Sequence, residues 1–368
     1  MSYCVINNIV TTFLSCRKKA GIILSVNIAA FTLFGCSSES PEHAFVRATT
    51  EHIIIPSYLG LEKSSIALSE ASHTFCNENN EPIQKEQLQI HWHDTMAAWS
   101  TIQAIRFGPI SQQNLDWKLQ FWPDKKNLVA QKTLGLLSQT EPLTSKQLSQ
   151  ASVVAQGFSA LEFLLFDPQA MSAGKPERYC ELVPLISQQL SSIAQSLTKG
   201  WHSYQNDLFT YSDDAEFSSE LAVVAILLDA YLSQLEILKN QKIGQPLGSE
   251  RQNARLNPYF LEAWRSQSSL VYIRNNIEAF HQFFNRGGLR TYLIKTNNSD
   301  YAEHIERELT ALNSALSETP APLFTQLDAA QPSLEKMQTH LTTLIEVLSH
   351  DVTAALGLTL GFNNNDGD

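Results

Sequence analysis

What this 368-residue chain lacks narrows its class first. No series of segments alternates apolar and polar residues, which argues against a sandwich or barrel. No Gly-x-Ser-x-Gly elbow, phosphate-cradling glycine loop, dinucleotide fingerprint or His-Glu-x-x-His pair occurs, so motifs do not point to an enzyme. Basic residues are scarce: 26 Lys and Arg stand against 37 Asp and Glu, a formal net charge of −11. That balance argues against nucleic acid or anionic lipid as a partner of the folded domain. It is compatible with cationic partners, although acidic runs are commonly just solvated faces. Cysteine is sparse too, with five in the chain.

Residues 1–36 read as a targeting segment. Arg17, Lys18 and Lys19 form a basic cluster, and the apolar stretch from Ala20 to Phe34 is short for a membrane span. It ends in Leu33-Phe34-Gly35-Cys36, which resembles a bacterial lipoprotein cleavage box with a bulkier residue than usual at Phe34. Cleavage before Cys36 and lipidation of its thiol is the expectation; a retained signal anchor is the alternative. Ser37, in the polar tether 37–44, resembles the sorting signal of Gram-negative outer-membrane lipoproteins. The expected location is the periplasm, anchored to the inner leaflet of the outer membrane. Loss of the three basic residues with the signal leaves 23 against 37, about −14 for the mature chain. Cys4 and Cys16 leave with it and Cys36 takes lipid, so Cys76 and Cys180 remain as an even pair in an oxidising compartment. They read as one disulfide between distant helical segments, with two buried free thiols as the other reading.

Nearly all of the mature chain reads as helix. Phe217, Leu221, Val224, Leu228, Tyr231, Leu235 and Leu238 recur at alternating spacings of four and three. Leu334, Met337, Leu341, Leu344 and Leu348 repeat the pattern, as nearly do Ile186, Leu190, Ile193, Leu197 and Trp201. Such stripes suit helices packed in bundles. Gly and Pro gather in expected connections at 107–123, 167–176, 244–248, 287–288 and 320–322. The polar piece 203–214 is the natural boundary. It predicts an all-α chain of two helical-bundle domains, 45–205 and 212–362, with a polar tail at 363–368.

Gly157-Phe158-Ser159-Ala160-Leu161-Glu162-Phe163-Leu164-Leu165-Phe166 is the stretch with chemistry in it. An ionised Glu162 among such core formers needs a cation, a metal or a hydrogen-bond donor, or an exit to water. Ser159 lies one turn before it on the same face. Arg106 is a candidate partner, as a planar fork to a carboxylate, or else it serves its own helix C-terminus before Gly108-Pro109. His91 and Asp94, three apart, could share a helix face and offer imidazole and carboxylate to zinc or iron. They lack the i, i+4 histidine pair of helical metal sites, and a solvated helix start is the alternative. The oxygen-rich tail from Gly361 to Asp368 lacks the length and the terminal Glu of a calcium loop; a disordered end, or one packed through Phe362, is the competing reading.

The stretch around Glu162 resembles the Gly-x-His-x-x-Glu segment of the imelysin-like family of bacterial envelope proteins, with Ser159 in the His position. The segments Ala98-Trp99 to Pro109, Phe121-Trp122-Pro123-Asp124, Arg178 with Cys180, Tyr259 to Arg265, and Leu360 to Asn363 with Asp366 to Asp368 are similar to that family's lipoprotein branch, in the expected order. In that branch the motif His is often absent. The resemblance implies two helical bundles related by duplication, which the faint echo of Ala98-Trp99 in Ala263-Trp264 supports only weakly. It makes Arg178 and Arg265 site candidates beside Arg106, and iron or zinc the candidate ions. It also implies an iron-linked binding or accessory role, with iron-uptake components as partners. A metallopeptidase is the runner-up, which Ser159, a poor zinc ligand, disfavours; a ligand-free structural envelope protein is the third reading.

Overall fold

The apolar stripes become the inner faces of long helices. The computed structural model describes residues 39–77, 82–173, 176–249 and 255–360. The targeting segment with Cys36, the start of the tether and the polar tail lie outside the described residues. In chain order the α-helices are α1 (Pro41–Thr49), α2 (Ile55–Asn77), α3 (Pro82–Ile102), α4 (Leu115–Leu119), α5 (Leu128–Leu137), α6 (Ser145–Gln150), α7 (Gly157–Phe166), α8 (Pro168–Ser172), α9 (Pro176–Tyr204), α10 (Glu220–Glu236), α11 (Gln245–Leu247), α12 (Ser269–Asn285), α13 (Leu289–Lys295), α14 (Ser299–Ser317), α15 (Leu323–Glu346) and α16 (Thr353–Ala355). The chain is all-α: among the described residues no strand forms, and Tyr211 and Phe217 make an isolated bridge.

Helix α2 packs against α3 and α9, and α7 lies on α3 and α9. In the C-terminal part α14 pairs with α15, and both meet α12. From Glu39 onward these helices belong to one compact unit, joined where α3 runs along α12. Ile186, Leu190, Ile193, Leu197 and Trp201 are all buried on α9, and Leu334, Met337, Leu341, Leu344 and Leu348 on the last long helix. In the Phe217–Leu238 stripe the helix begins only at Glu220. The Ser219 hydroxyl accepts from the Ala222 amide at 3.2 Å and caps it, leaving Phe217 buried outside the helix.

Three features depart from the sequence reading. The tether is shorter than 37–44, because Ser40 caps α1 and Pro41 opens it. Residues 45–49 pack not on the N-terminal helices but on α10 and α13. Phe45 stacks on Tyr292 at 5.3 Å, Thr49 Oγ1 donates to the Gly287 carbonyl at 2.7 Å, and Ser40 Oγ donates to Glu220 Oε2 at 2.7 Å. The stretch 244–248, expected to be a connection, is helical through Leu247: a π-helical segment, Ile237–Gly244, carries α10 into α11, and Gly248 closes it at φ +72°. The run Glu220–Leu247 is long and apolar enough to cross a membrane, yet Val223, Leu227, Leu228, Tyr231 and Leu235 are buried in the core. Similar π-helical segments lie at Thr50–Ile54 and Val347–Val352. Cys76 near the end of α2 and Cys180 on α9 form a disulfide, with Cα atoms 5.3 Å apart.

Candidate functional site

Helix α7 is held at its start by a glycine that nothing else could replace. Gly157 has φ +71°, and a Cβ there would lie 2.2 Å from the Leu119 carbonyl oxygen and 2.4 Å from that of Lys118. Close backbone approach is therefore the physical content of the motif's first position. Trp92 Nε1 on α3 donates to the Phe158 carbonyl at 3.2 Å, and Ser159 Oγ donates to the Phe121 carbonyl at 2.9 Å. These bonds set α7 so that Ser159 and Glu162 face a narrow cleft with a volume of about 30 Å³. Its other walls are the 120–124 segment and the turn 259–265 from the C-terminal half.

Glu162 is 5 % exposed and its partner is neither Arg106 nor Arg178. Oε1 accepts from the Ser266 amide at 2.9 Å and the Ser266 hydroxyl at 3.0 Å. Burial pushes this carboxyl above the usual carboxylate range, against the opposing pull of the Ser266 amide and the positive charge of Arg265. The turn that delivers Ser266 is strained, since Ala263 and Gln267, both non-glycine, sit at φ +52° and +56°.

Arg265, the third arginine candidate, does reach the cleft. It pairs through Nε with Asp167 Oδ2 at 3.0 Å and donates from Nη2 to Asn127 Oδ1 at 2.7 Å. Its guanidinium lies 4.2 Å from the Trp264 ring centre. Arg178 is buried elsewhere and pairs with Glu181, whose carboxylate also accepts from the Leu143 amide at 3.1 Å. Arg106 is exposed and donates through Nε to Gln103 O at 3.3 Å, in keeping with the helix-end reading. On α3, Asp94 is exposed and His91 half-buried, and neither lines the cleft. The histidine turned towards this region is His93, with Nδ1 3.2 Å from the Tyr272 hydroxyl and 3.3 Å from Ser268 Oγ. Burial lowers its pKa, with Asp94 opposing. Among the described residues no three His, Cys, Asp or Glu side chains converge on a point that could hold a metal.

Sequence reasoning missed the polar network next to the cleft. Lys242, on the π-helical segment, is 2 % exposed, as is Glu262. Its Nζ donates to Glu262 Oε2 at 2.7 Å, Gln103 Oε1 at 2.7 Å and Asn276 Oδ1 at 2.6 Å. Glu262 Oε1 accepts from Gln120 at 2.9 Å and Gln103 at 3.2 Å. Burial draws the Lys242 ammonium below its usual range, and Glu262 opposes this. Glu262 stands in the Tyr259–Arg265 segment already singled out; Lys242, in an otherwise apolar helix face, was the remaining signal.

A family model described as imelysin, Peptidase_M75, matches residues 54–349. Iron-regulated protein A of Synechococcus elongatus is 20 % identical over 325 residues, covering 83 % of this chain and 85 % of the relative. The crystal structure of an imelysin-like protein from Psychrobacter arcticum superposes with a TM-score of 0.77 at 22 % identity, over 88 % of this chain and 97 % of that one. A protein described as an iron-regulated protein A precursor, from Parabacteroides distasonis, gives 0.70 at 16 % identity over 86 % and 95 %. The fold is thus shared across the described helices, and the match spans both the Gly157–Glu162 motif and the Glu262 segment: the chain belongs to the imelysin family.

Proposed function

We propose that this protein is a lipid-anchored component of the cell envelope with an iron-linked binding or accessory role, and that the cleft around Glu162 is its recognition site. The observation that carries the reading is the state of Glu162. It is a buried carboxylate facing a cleft, held by the Ser266 amide and hydroxyl on one oxygen and drawn on by the backbone amide of Arg265. Kinship with iron-regulated proteins supports the iron link, and the Leu33–Cys36 box supports the anchor. Resident iron or zinc does not fit the side chains present. The cleft's carboxylates are Glu162 and Asp124, and both Asp124 oxygens already accept from the α5 amides of Leu128 and Val129 at 2.8 Å. A metallopeptidase needs about three protein ligands and a base, more than the cleft's two carboxylates supply.

Two measurements test the reading. Growth under iron limitation is compared in a strain lacking the protein and complemented with wild type or Glu162→Gln. The variant should fail to restore growth while staying folded and melting no lower than wild type; full restoration would sink the recognition site. Cys36→Ser should abolish membrane fractionation or processing, and unchanged fractionation with unchanged mass would refute the anchor.

A further inference from the structure

Beside the Glu162 cleft lies a second cavity of about 220 Å³, sharing Gln120, Trp122 and Pro123 with it. The buried network is its floor, and that floor has no capacity left. The three ammonium protons of Lys242 meet three acceptors, and both Glu262 oxygens are engaged. Lys242 and Glu262 also cancel one another in charge.

The mouth is different. Arg106 and Lys125 line it and are exposed, and neither lies within ion-pair distance of a carboxylate among the described residues. Arg106 spends only Nε, on a long bond to a backbone carbonyl, so the fork of its two terminal nitrogens is unused. Asp116, the other carboxylate of the wall, offsets one of these two charges. Indoles share the remaining walls with Gln241, Gln245 and Ile237: Trp117 is 42 % exposed, and Trp122 lines both cavities with Lys242 Nζ 5.8 Å from its ring centre. An unsatisfied guanidinium fork beside indole faces selects a flat molecule bearing one carboxylate.

We infer that the second cavity binds a small planar organic carboxylate. Arg106 takes the carboxylate, Lys125 assists at the mouth, and the indoles of Trp117 and Trp122 contact the flat part. The same chemistry could arrive as a free aromatic acid or as the ferric chelate of one. This site goes beyond the Glu162 reading and stands without it.

The test titrates detergent-solubilised full-length protein with benzoate, 2,3-dihydroxybenzoate, the ferric complex of that acid, and benzamide as the uncharged isostere. Tryptophan fluorescence and calorimetry are the readouts. The carboxylates should quench saturably and benzamide should bind roughly tenfold or more weakly, as expected for loss of a charge-assisted bond. Arg106→Gln should weaken benzoate by a similar factor and Lys125→Gln by less. Should Arg106→Gln not fold, Trp117→Leu carries the test, since an exposed indole can be replaced without disturbing the core. A ferric complex that binds tighter than the free acid marks the chelate as the source; equal or weaker binding marks the free acid. Equal affinity for benzoate and benzamide, no saturable binding, or full affinity in Arg106→Gln at native melting temperature overturns the assignment. Growth under iron limitation reads the Glu162 site and carboxylate titration reads this one, so either can fail alone.

Discussion

Glu162 keeps its place through two hydrogen bonds from Ser266, and burial raises its pKa. A carboxyl that holds its proton to higher pH when folded favours folding at low pH. That contribution is full below the unfolded value near 4.5 and is lost as pH rises through the raised folded value. Glu162→Gln cannot titrate, so its melting temperature should gain on wild type as pH rises above about 4.5; parallel melting curves on that side would contradict the buried state. Lys242 poses the opposite question. Its ammonium is fully matched, so Lys242→Met leaves Glu262 buried and unpaired and should cost roughly 3–5 kcal/mol in denaturant unfolding. Adding Glu262→Gln should return a large part of that loss, because the stranded charge is gone; no recovery in the double variant would mean that the pair is not coupled.

At the scale of the element, α7 is positioned by contact of its first residue with the α4 backbone. Gly157→Ala puts a methyl group into the carbonyls of Lys118 and Leu119 and into a left-handed φ, so relief requires moving backbone. The expected result is a loss of several kcal/mol, on the order of 3 or more, or failure to fold. Thermal unfolding within a degree of wild type would show that α7 does not start as described. The same helix explains Ser159. The motif position that would offer an imidazole instead donates a hydroxyl to Phe121, so it ties α7 to the 121–124 segment that divides the two cavities. The π-helical segment Ile237–Gly244 has a comparable role. Its widened turn places Lys242 inward, where it can reach α3, α12 and the Glu262 turn at once.

At the scale of the whole molecule, contacts distant in sequence hold the two halves together. α1 precedes the N-terminal helices yet packs on α10 and α13, so the first described helix clasps the far half. The Cys76–Cys180 bond closes a loop between residues 104 apart. In the chain-entropy model such a closure stabilises by up to about 4–5 kcal/mol, mostly by restricting the unfolded chain. Cys76→Ser with Cys180→Ser should therefore lower the unfolding free energy by no more than that while leaving helix content unchanged. Loss of helical signal in the folded double variant would show that the bond organises the fold.

Local order was legible without coordinates. Spacings of three and four place apolar side chains on one face of a helix whatever the partner, so the stripes on α9 and α15 could be read directly. A buried carboxylate among core formers could likewise be flagged at Glu162, because burial of a charge demands a donor in any fold. Which donor it meets could not be read. Ser266 lies 104 residues away, on a turn whose positive φ at Ala263 and Gln267 has no glycine to announce it. The arginines sorted themselves by the same rule: Arg265 reaches the cleft, Arg178 turns to Glu181, and Arg106 opens on the second cavity. Lys242, Glu262, Gln103, Gln120 and Asn276 are ordinary polar residues in isolation and become a network only when a π turn, α3 and α12 are brought together. Sequence alone determined which faces must be buried, since that follows from local periodicity and transfer free energy. Tertiary structure decided which polar groups meet, since hydrogen bonds reach only about 3 Å and their partners are set by chain crossings far apart in sequence.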